Sequence, residues 1–319
     1  MVFHTEFHKW NLLPEELKLE CIKHVNLKTR FLLRETSRTE RRLVNSQRFY
    51  LRQFYINNRS RKCGIHINFE IYEKSLDGEL IGVEFTEEEM IPTAVSFISF
   101  ILEKANVTSF ECYDNRGEFS KNCYFESNLS GGMLESLRFL GEISELRIRN
   151  FDGEVTPHML PMFEKCPPNT VEKIQIFYKS QDVFPINKFL KYPMVDSVKN
   201  WNLYTPKSPD LGQTIGRKWI QLDVEVGSEY TFNKVKNDDM ESFAIAFPEC
   251  KLVQKTEKLI RIETRNPNKH LLLIISKDTM NNSIRWRQWT LLMIPKEFPE
   301  SKYDLIGCYW DFDEILAMD

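Results

Sequence analysis

Short strand-like runs alternate with helix-like runs over most of the chain, and this alternation constrains the fold more than any other feature. Strand-like runs begin near residues 107, 146, 171, 195 and 219, and a helix-like run fits most of the intervals. Repeats of about 20 to 29 residues with one strand each are typical of leucine-rich-type proteins. Stacked units of this kind bury a shared core between parallel strands and outer helices. The spacing predicts an irregular leucine-rich-repeat-like α/β solenoid that lacks the strict consensus and its asparagine ladder.

The individual runs are assigned from the period of their apolar residues, which is two in a half-buried strand and about 3.6 in a helix. Alternating residues predict strands at 65–72, 107–113, 146–151, 171–178, 195–203 and 219–226. Spacings of three and four predict helices at 91–105, 133–140, 158–166, 186–192 and 232–246.

The last part of the chain changes character. Strand-like runs at 259–264, 270–276 and 283–292 follow one another closely, separated by Asn-rich and Pro-containing turns. Asparagine and proline favour tight turns because of their local backbone preferences. This pattern predicts an antiparallel β meander that closes the open end of the solenoid.

The first 47 residues carry a different, purely helical pattern. The sequence Pro14-Glu15-Glu16 suits the first turn of a helix, because proline has a preset φ and the carboxylates face the positive end of the helix dipole. An apolar stripe follows at spacings of three and four, made of Leu13, Leu17, Cys21, Ile22 and Val25. After a break at 26–27, a second helical stretch runs over 28–43. These observations predict a small helical unit at the start of the chain.

The order of residues in this unit resembles the F-box. The matching positions are Leu13-Pro14-x-Glu16-Leu17, Ile22, Leu27, Arg30, Leu33-Arg34, Ser37-Arg38 and Arg41-x-Leu43-Val44. The resemblance implies a three-helix F-box over residues 1–47 that docks on a Skp-family adaptor and, through it, on a cullin. By position, the adaptor contact is expected from Leu13, Pro14, Leu17, Ile22, Leu27, Leu33 and Leu43.

Two positions depart from the usual F-box pattern. Many F-boxes have valine where Thr36 stands, and an aromatic residue where Glu40 stands. The resemblance implies a non-catalytic, client-recruiting subunit of a Skp–cullin–F-box ubiquitin ligase. The two departures leave open an alternative, an adaptor-binding scaffold or regulator without ligase function.

The remainder of the chain is expected to be a helical linker over 48–62 and a client-binding domain over 63–319. The run Ile260-Arg261-Ile262-Glu263-x-x-Asn266-Pro267, together with the strand–helix layout, resembles the FTH-type region of nematode F-box proteins. The resemblance implies a protein-interaction domain that binds an unknown client protein, and it assigns no individual residues.

Charge and composition limit the kinds of molecule that the chain is expected to bind. The net charge is −3, which gives the whole molecule no strong attraction to nucleic acid or anionic lipid. Residues 28–62 nevertheless carry eleven Lys and Arg against two acids, a balance of +9, so nucleic-acid binding through this stretch remains a second alternative. No apolar run approaches the roughly 20 residues that span a bilayer, so no membrane contact is expected.

Cysteine usage and motif content complete the sequence-based expectations. Seven widely spaced cysteines without a C-x-x-C pair indicate reduced thiols of an intracellular protein in the cytoplasm, the nucleus or both. The chain has no glycine-rich phosphate loop, zinc-binding H-E-x-x-H or nucleophile elbow. We therefore expect no cofactor, no metal site and no catalytic residues; an enzyme with an unrecognised site stays open.

Overall fold

A computed structural model of the protein describes residues 9–57, 65–71, 80–85, 91–113, 140, 142–178, 180, 182–205, 210–234, 239–281, 284–306 and 312–318. Three short helices come first, α1 (Glu15–His24), α2 (Leu27–Arg34) and α3 (Arg38–Ser46), after a 3-10 turn at Trp10–Leu12. The helical start of the chain is thereby confirmed, but the one helical stretch predicted over 28–43 is divided into α2 and α3 at residues 35–37. Residues 133–139 of a predicted helix lie outside the described residues.

Local capping explains where two of these helices begin. The Asn26 side chain accepts a hydrogen bond from the backbone N–H of Thr29 at 2.8 Å, which caps α2. The Ser37 side chain accepts from the backbone N–H of Glu40 at 3.3 Å, which caps α3. Ser37 and Glu40 also have the spacing of a capping box, so the sequence specifies this helix start locally.

A single mixed sheet is the main feature of the rest of the described structure. Its strands are β1 (Phe49–Asn57), β2 (Ile65–Ile71), β3 (Leu80–Phe85), β4 (Ala105–Tyr113), β5 (Arg147–Val155), β6 (Lys173–Tyr178), β7 (Asn200–Tyr204), β8 (Glu229–Lys234), β9 (Leu252–Lys255), β10 (Leu259–Glu263), β11 (Lys269–Asn281) and β12 (Ile284–Pro295). The spatial order of the twelve strands is β3-β2-β1-β4-β5-β6-β7-β8-β12-β11-β10-β9. Strands β1 and β4 to β8 pair in parallel, and the outer strands pair antiparallel. The large domain is therefore a mixed α/β region.

Helices and 3-10 turns connect the strands. The α-helices of this part are α4 (Ile91–Lys104), α5 (Ile186–Phe189), α6 (Leu211–Leu222), α7 (Asp239–Ile245) and α8 (Phe312–Ala317). The 3-10 turns are Leu160–Lys165, Pro193–Ser197 and Glu300–Leu305. The predicted helix at 158–166 is therefore a 3-10 turn, and the predicted strand at 195–203 begins later, at Asn200.

Several predicted elements are confirmed. The strands predicted at 65–72, 107–113, 146–151 and 171–178 correspond to β2, β4, β5 and β6, and the helices at 91–105 and 186–192 correspond to α4 and α5. The antiparallel meander is present as β10, β11 and β12. It continues the same sheet through the pairing of β12 with β8. That the parallel strands form a leucine-rich-repeat-like solenoid stays a prediction.

The expected helical linker at 48–62 is wrong, because residues 49–57 form strand β1. Strand β1 pairs in parallel with β4 and antiparallel with β2. Leu51, Phe54 and Ile56 are buried in the core of the sheet. Their spacing fits an inward-facing strand with one irregularity, and the gain from pairing on both sides outweighs the weak helical pattern. The sheet of the large domain thus starts directly after α3.

The predicted strand at 219–226 is also wrong, because this region ends helix α6. The buried residues Leu211, Ile215 and Trp219 recur every four positions, which is a helical spacing. Glycine at position 216 lets the helix approach the sheet, since a Cβ there would lie 2.9 Å from Phe247 Cζ and 3.1 Å from Leu271 Cδ2. The apparent alternation over 220–226 runs through the end of α6 and the turn after it. The helix predicted at 232–246 is split between strand β8 and helix α7.

A common burial pattern runs through the five strands β1, β4, β5, β6 and β7 and the residues just before the last two. Each strand has three buried residues that face the core. Two less buried residues lie between the first and the second of them, and one lies between the second and the third. The inward residues are Leu51, Phe54 and Ile56; Val107, Phe110 and Cys112; Ile148, Phe151 and Gly153; Val171, Ile174 and Ile176; and Val198, Trp201 and Leu203. The repeated pattern keeps the neighbouring strands in register.

Two apolar cores hold the molecule together. The larger core extends from Ile22 in α1 to Met293 in β12, so the N-terminal helices and the sheet share one interior. The ring of Phe31 in α2 lies 5.0 Å from the ring of Phe97 in α4 and forms part of the junction. The smaller core covers the opposite face of the meander with the C-terminal segment, including Phe298 and Phe312. The C-terminal segment, for which the sequence suggested no role, is therefore a cover for the meander.

Candidate functional site: the N-terminal helices and the open sheet face

The N-terminal helices expose large apolar side chains to solvent. Leu12, Leu17 and Leu32 are 79%, 53% and 57% exposed. Pro14 is also exposed and Leu13 is half-buried. Contiguous exposed apolar patches are characteristic of protein-interaction surfaces, and residues 12–14 with Leu17 are the candidate for such a patch here. Leu12 and Leu32 were not among the residues predicted for the adaptor contact, because the motif spacing does not include them.

The predicted adaptor-contact residues fall into two groups. Leu13, Pro14 and Leu17 lie at or near the surface. Ile22, Leu27 and Leu43 have at most 2% of their surface exposed and belong to the larger core, while Leu33 is half-buried and packs against it. In this conformation Ile22, Leu27 and Leu43 support the helices from inside and offer no surface to a partner, whereas Leu33 keeps part of its surface exposed.

Glu40, one of the departures from the usual F-box pattern, is the centre of a buried polar cluster. Its Oε1 lies 3.2 Å from Lys18 Nζ and accepts a hydrogen bond from Trp10 Nε1 at 3.1 Å. Its Oε2 accepts a hydrogen bond from Ser37 Oγ. Burial opposes ionisation of Glu40, but hydrogen bonds from its own backbone N–H, Lys18 and Trp10 outweigh that effect and lower the pKa of the carboxyl. The carboxylate thus joins the 3-10 turn, α1 and α3.

Thr36, the other departure, lies just beyond the end of α2. Its hydroxyl donates a hydrogen bond of 2.7 Å to the carbonyl oxygen of Leu33. The same carbonyl oxygen also accepts the backbone N–H of Thr36 at 3.1 Å, so the hydroxyl adds a second hydrogen bond to the end of α2. Thr36 is exposed, so a polar threonine in place of the usual valine does not bury a polar group.

Many cations of the basic stretch are engaged by groups of the protein itself. Buried Arg30 donates to the carbonyl oxygens of Val25 at 2.9 Å and Lys23 at 2.7 Å, which satisfies the end of α1. Ion pairs join Arg34 and Arg41 to Glu35, Arg42 to Glu15, and Arg48 to Glu145. Residues 58–62 of this stretch lie outside the described residues. Its described part is therefore a mixed-charge surface.

The parallel strands present a second candidate surface on the face opposite the larger core. Register places polar and aromatic side chains in rows across the strands. We call two adjacent rows the ladder face, formed by Tyr55, Glu111, Asp152, Gln175, Asn202 and Thr231 in the first row and Glu154, Phe177 and Tyr204 in the second. All except the buried Thr231 are half-buried, so the rows are partly open to solvent.

Side-chain contacts fix the geometry of the ladder face. The rings of Phe177 and Tyr204 stack with centroids 4.4 Å apart and planes 4° from parallel. Asn202 Nδ2 donates to Gln175 Oε1 at 3.3 Å and to the Tyr204 hydroxyl at 3.0 Å. Glu111 accepts from Gln53 Nε2 at 2.6 Å. The face is thus an ordered set of polar side chains, both donors and acceptors, next to a stacked aromatic pair.

Three short helices with exposed leucines thus precede a larger mixed α/β region. Residues 10–52 match the family model described as F-box domain. The beginning of the chain therefore contains an F-box domain, and such a domain suggests an adaptor subunit that binds a Skp-family protein in Skp–cullin–F-box ubiquitin ligases. Subunits of this kind are generally non-catalytic.

Neither the comparison with curated proteins nor the comparison with solved structures found a match. The resemblance of the C-terminal region to FTH-type domains thus stays a prediction. Among the described residues, no helix is long and apolar enough to cross a membrane.

Proposed function

We propose that the protein is the client-recruiting, non-catalytic subunit of a Skp–cullin–F-box ubiquitin ligase. The F-box match over residues 10–52 is the single observation that carries this proposal. In it, the N-terminal helices bind a Skp-family adaptor, the adaptor connects to a cullin, and the large domain holds a client protein. Ubiquitin transfer is the work of other subunits.

The proposed adaptor contact is centred on the exposed residues of the N-terminal helices. Leu12, Leu17 and Leu32 are solvent-exposed leucines, and Leu13 and Pro14 continue the same apolar surface between the first two. Stable protein interfaces bury about 1,200–2,000 Å² in total, and apolar anchors near their centre contribute most of the binding energy. We infer that Ile22, Leu27 and Leu43 hold these anchors in place from the core.

The large domain is proposed to bind the client as an irregular leucine-rich-repeat-like solenoid. The common burial pattern of five parallel strands supports this inference, because repeat proteins place equivalent residues at equivalent positions of each unit. Such a solenoid would present an extended surface made of short rows of side chains, and the ladder face is part of that surface. An FTH-type interaction domain is compatible with the same arrangement.

Adaptor capture tests the proposal directly. Replacement of Leu12 and Leu17 by Ala is expected to weaken binding to a purified Skp-family adaptor by tenfold or more, since truncation of central apolar anchors costs about 2 kcal/mol each. The matched control replaces Leu252 and Leu316, two leucines that are also solvent-exposed but lie outside the F-box, and should bind as well as the unaltered protein. If the unaltered protein captures no adaptor at micromolar concentration, the ligase role fails.

The scaffold alternative differs in its effect on a bound client. A ligase subunit shortens the lifetime of its client, and a scaffold leaves that lifetime unchanged. Comparison of client half-life in cells with the unaltered protein and with the Leu12 and Leu17 double variant separates the two.

The nucleic-acid alternative has its own test. It requires that the protein bind oligonucleotides and that its affinity fall steeply as the salt concentration rises.

A further inference from the structure

We propose that the C-terminal segment is a pH-sensitive cover of the meander, and that protonation of His270 promotes its opening. The structure describes this segment over residues 296–306 and 312–318. An open segment uncovers the apolar face of β10, β11 and β12, on the side of the sheet that also carries the ladder face. This device lies outside the F-box and does not depend on the proposed ligase function.

One buried guanidinium joins the segment to the sheet. Arg261 on β10 has only 6% of its surface exposed. It donates to the carbonyl oxygen of Phe298 at 3.0 Å, to the Tyr303 hydroxyl at 2.7 Å and to the carbonyl oxygen of Lys296. These three acceptors all belong to the C-terminal segment, so Arg261 is its main polar attachment to the meander.

The fourth acceptor of Arg261 is His270 on the neighbouring strand β11. Arg261 Nε donates to His270 Nδ1 at 2.8 Å, and both side chains are buried. Nδ1 can accept only when it carries no proton, so the contact requires a neutral imidazole. A proton on Nδ1 removes this hydrogen bond and places two cations side by side where the segment keeps water away.

The charges that face His270 come from β10 and from the C-terminal segment. Arg261 on β10 and Lys296 of the segment oppose a proton on the imidazole, whereas Glu263 on β10 and Glu297 of the segment favour it. Burial has the largest effect and the charge of Arg261 the next, and both oppose the proton. The pKa of His270 therefore lies below its ordinary 6.5 while the segment covers it.

Opening of the segment reverses these conditions. Water then reaches the guanidinium of Arg261 and the imidazole of His270, so neither group needs its partners in the segment. The exposed His270 has an ordinary pKa of about 6.5 and takes up a proton at mildly acidic pH. The closed state is therefore fully favoured above that pH and loses stability as the pH falls through its own lower pKa. From pH 7.5 to pH 5.5, the equilibrium constant for opening should rise about five- to tenfold.

Apolar contacts keep the segment closed for most of the time. Phe298, Phe312 and Ile315 are buried in the smaller core, and the ring centroids of Phe298 and Phe312 lie 5.4 Å apart. Protonation of one histidine does not outweigh this burial, but it increases a minor open population. The device is thus a graded change in opening and not a complete release.

The test is amide hydrogen exchange of the full-length protein at pH 7.5 and pH 5.5, corrected for the intrinsic exchange rate. Amides of residues 300–306 should be less protected than those of β4 to β6 at both pH values, because the segment opens locally. Their protection should fall about five- to tenfold at the lower pH. Equal protection in the segment and in β4 to β6, or a pH effect below twofold, overturns the inference.

Variants assign the pH effect to His270. His270→Gln keeps an acceptor that cannot be protonated, so the pH effect on the segment should shrink to less than twofold. The control is His158→Gln at an exposed position, which should keep the full effect. Equal pH effects in these two variants contradict the role of His270.

A second variant tests the attachment without altering the histidine. Tyr303→Phe keeps the ring and removes one acceptor of Arg261, so opening should increase about fivefold at both pH values with the pH effect retained. Unchanged protection of the segment in Tyr303→Phe contradicts its attachment through Arg261.

Discussion

Lys18 Nζ lies 3.2 Å from Glu40 Oε1, and both side chains have less than a tenth of their surface exposed. The pair connects α1 to α3 inside the F-box domain, and Trp10 adds a hydrogen bond from the preceding 3-10 turn. Lys18 Nζ also lies 5.6 Å from the centroid of the Trp10 ring. Glu40, which departs from the usual F-box pattern, is thus fixed in the fold by its contacts with Lys18 and Trp10.

Loss of one partner of this pair should destabilise the protein strongly. Glu40→Ala leaves the Lys18 ammonium buried without its carboxylate, and removal of one member of a buried pair typically costs about 3–5 kcal/mol. The measurement is the free energy of unfolding in urea. The control is Glu15→Ala, which removes the exposed ion pair with Arg42 and should cost less than about 1 kcal/mol. Similar small losses in both variants would show that Glu40 contributes little.

Stability should depend on pH through His270. Arg261 Nε donates to His270 Nδ1 at 2.8 Å, which requires a neutral imidazole. Burial and the nearby charge of Arg261 lower the pKa of His270 from its ordinary 6.5. The unfolded chain therefore binds the proton first as the pH falls. The stability from this contact is complete above about pH 6.5 and is lost as the pH drops through the lower folded-state pKa, with a slope of at most about 1.4 kcal/mol per pH unit.

Urea unfolding at several pH values checks the role of His270. His270→Gln retains an acceptor and removes the titration, so its stability should change less between pH 7 and pH 5 than that of the unaltered protein. The exposed His158 provides the control, because His158→Gln should leave the pH dependence intact. An unchanged pH dependence in His270→Gln would assign the effect to other groups.

Helix α6 should tolerate no side chain at position 216. Gly216→Ala places a Cβ 2.9 Å from the Phe247 ring, which is closer than ordinary contact, and the helix or the ring must shift. Overpacking of this kind costs about 1–3 kcal/mol. Thermal or urea unfolding should show that loss, whereas Gln221→Ala on an exposed position of the same helix should change stability by less than about 0.5 kcal/mol. A neutral Gly216→Ala would mean that the contact relaxes freely.

Local signals in the sequence were sufficient for the elements that local chemistry determines. The caps at Asn26 and Ser37 and the Pro14-Glu15-Glu16 start specify the N-terminal helices. A period-two run marks β2, and short apolar runs mark β4 to β6, although their inward residues are spaced by three and then two. Strand β1 could not be predicted in this way, because it depends on pairing with distant strands. Helix α6 did carry a local signal, since Leu211, Ile215 and Trp219 recur every four positions, but the alternation over 220–226 obscured it.

Only part of each candidate surface could be predicted, again because a local pattern does not show which distant residues become neighbours. Motif spacing assigned seven positions to one surface, but it could not separate Leu13, Pro14 and Leu17 from buried Ile22, Leu27 and Leu43 and half-buried Leu33, since all seven share one apolar pattern. The ladder face needs the register of five strands before Glu111 and Asp152, or Phe177 and Tyr204, become neighbours. A signal for it was present in the inward pattern that recurs in each strand, which simple alternation does not describe.

The C-terminal segment should be required to keep the meander covered. Leu272, Ile274, Leu292 and Ile294 of β11 and β12 are buried in the smaller core, which the segment after Pro295 completes. A chain ending at residue 295 exposes this apolar face. In that chain Arg261 also loses three acceptors, the carbonyl oxygens of Lys296 and Phe298 and the hydroxyl of Tyr303.

We expect the chain that ends at residue 295 to self-associate on size-exclusion chromatography and to bind more of a hydrophobic dye, because exposed apolar patches of this kind promote association. A chain ending at residue 317 keeps Phe312 and Ile315 and should remain like the full-length protein. A monomeric chain ending at 295 with no added dye binding would contradict the covering role.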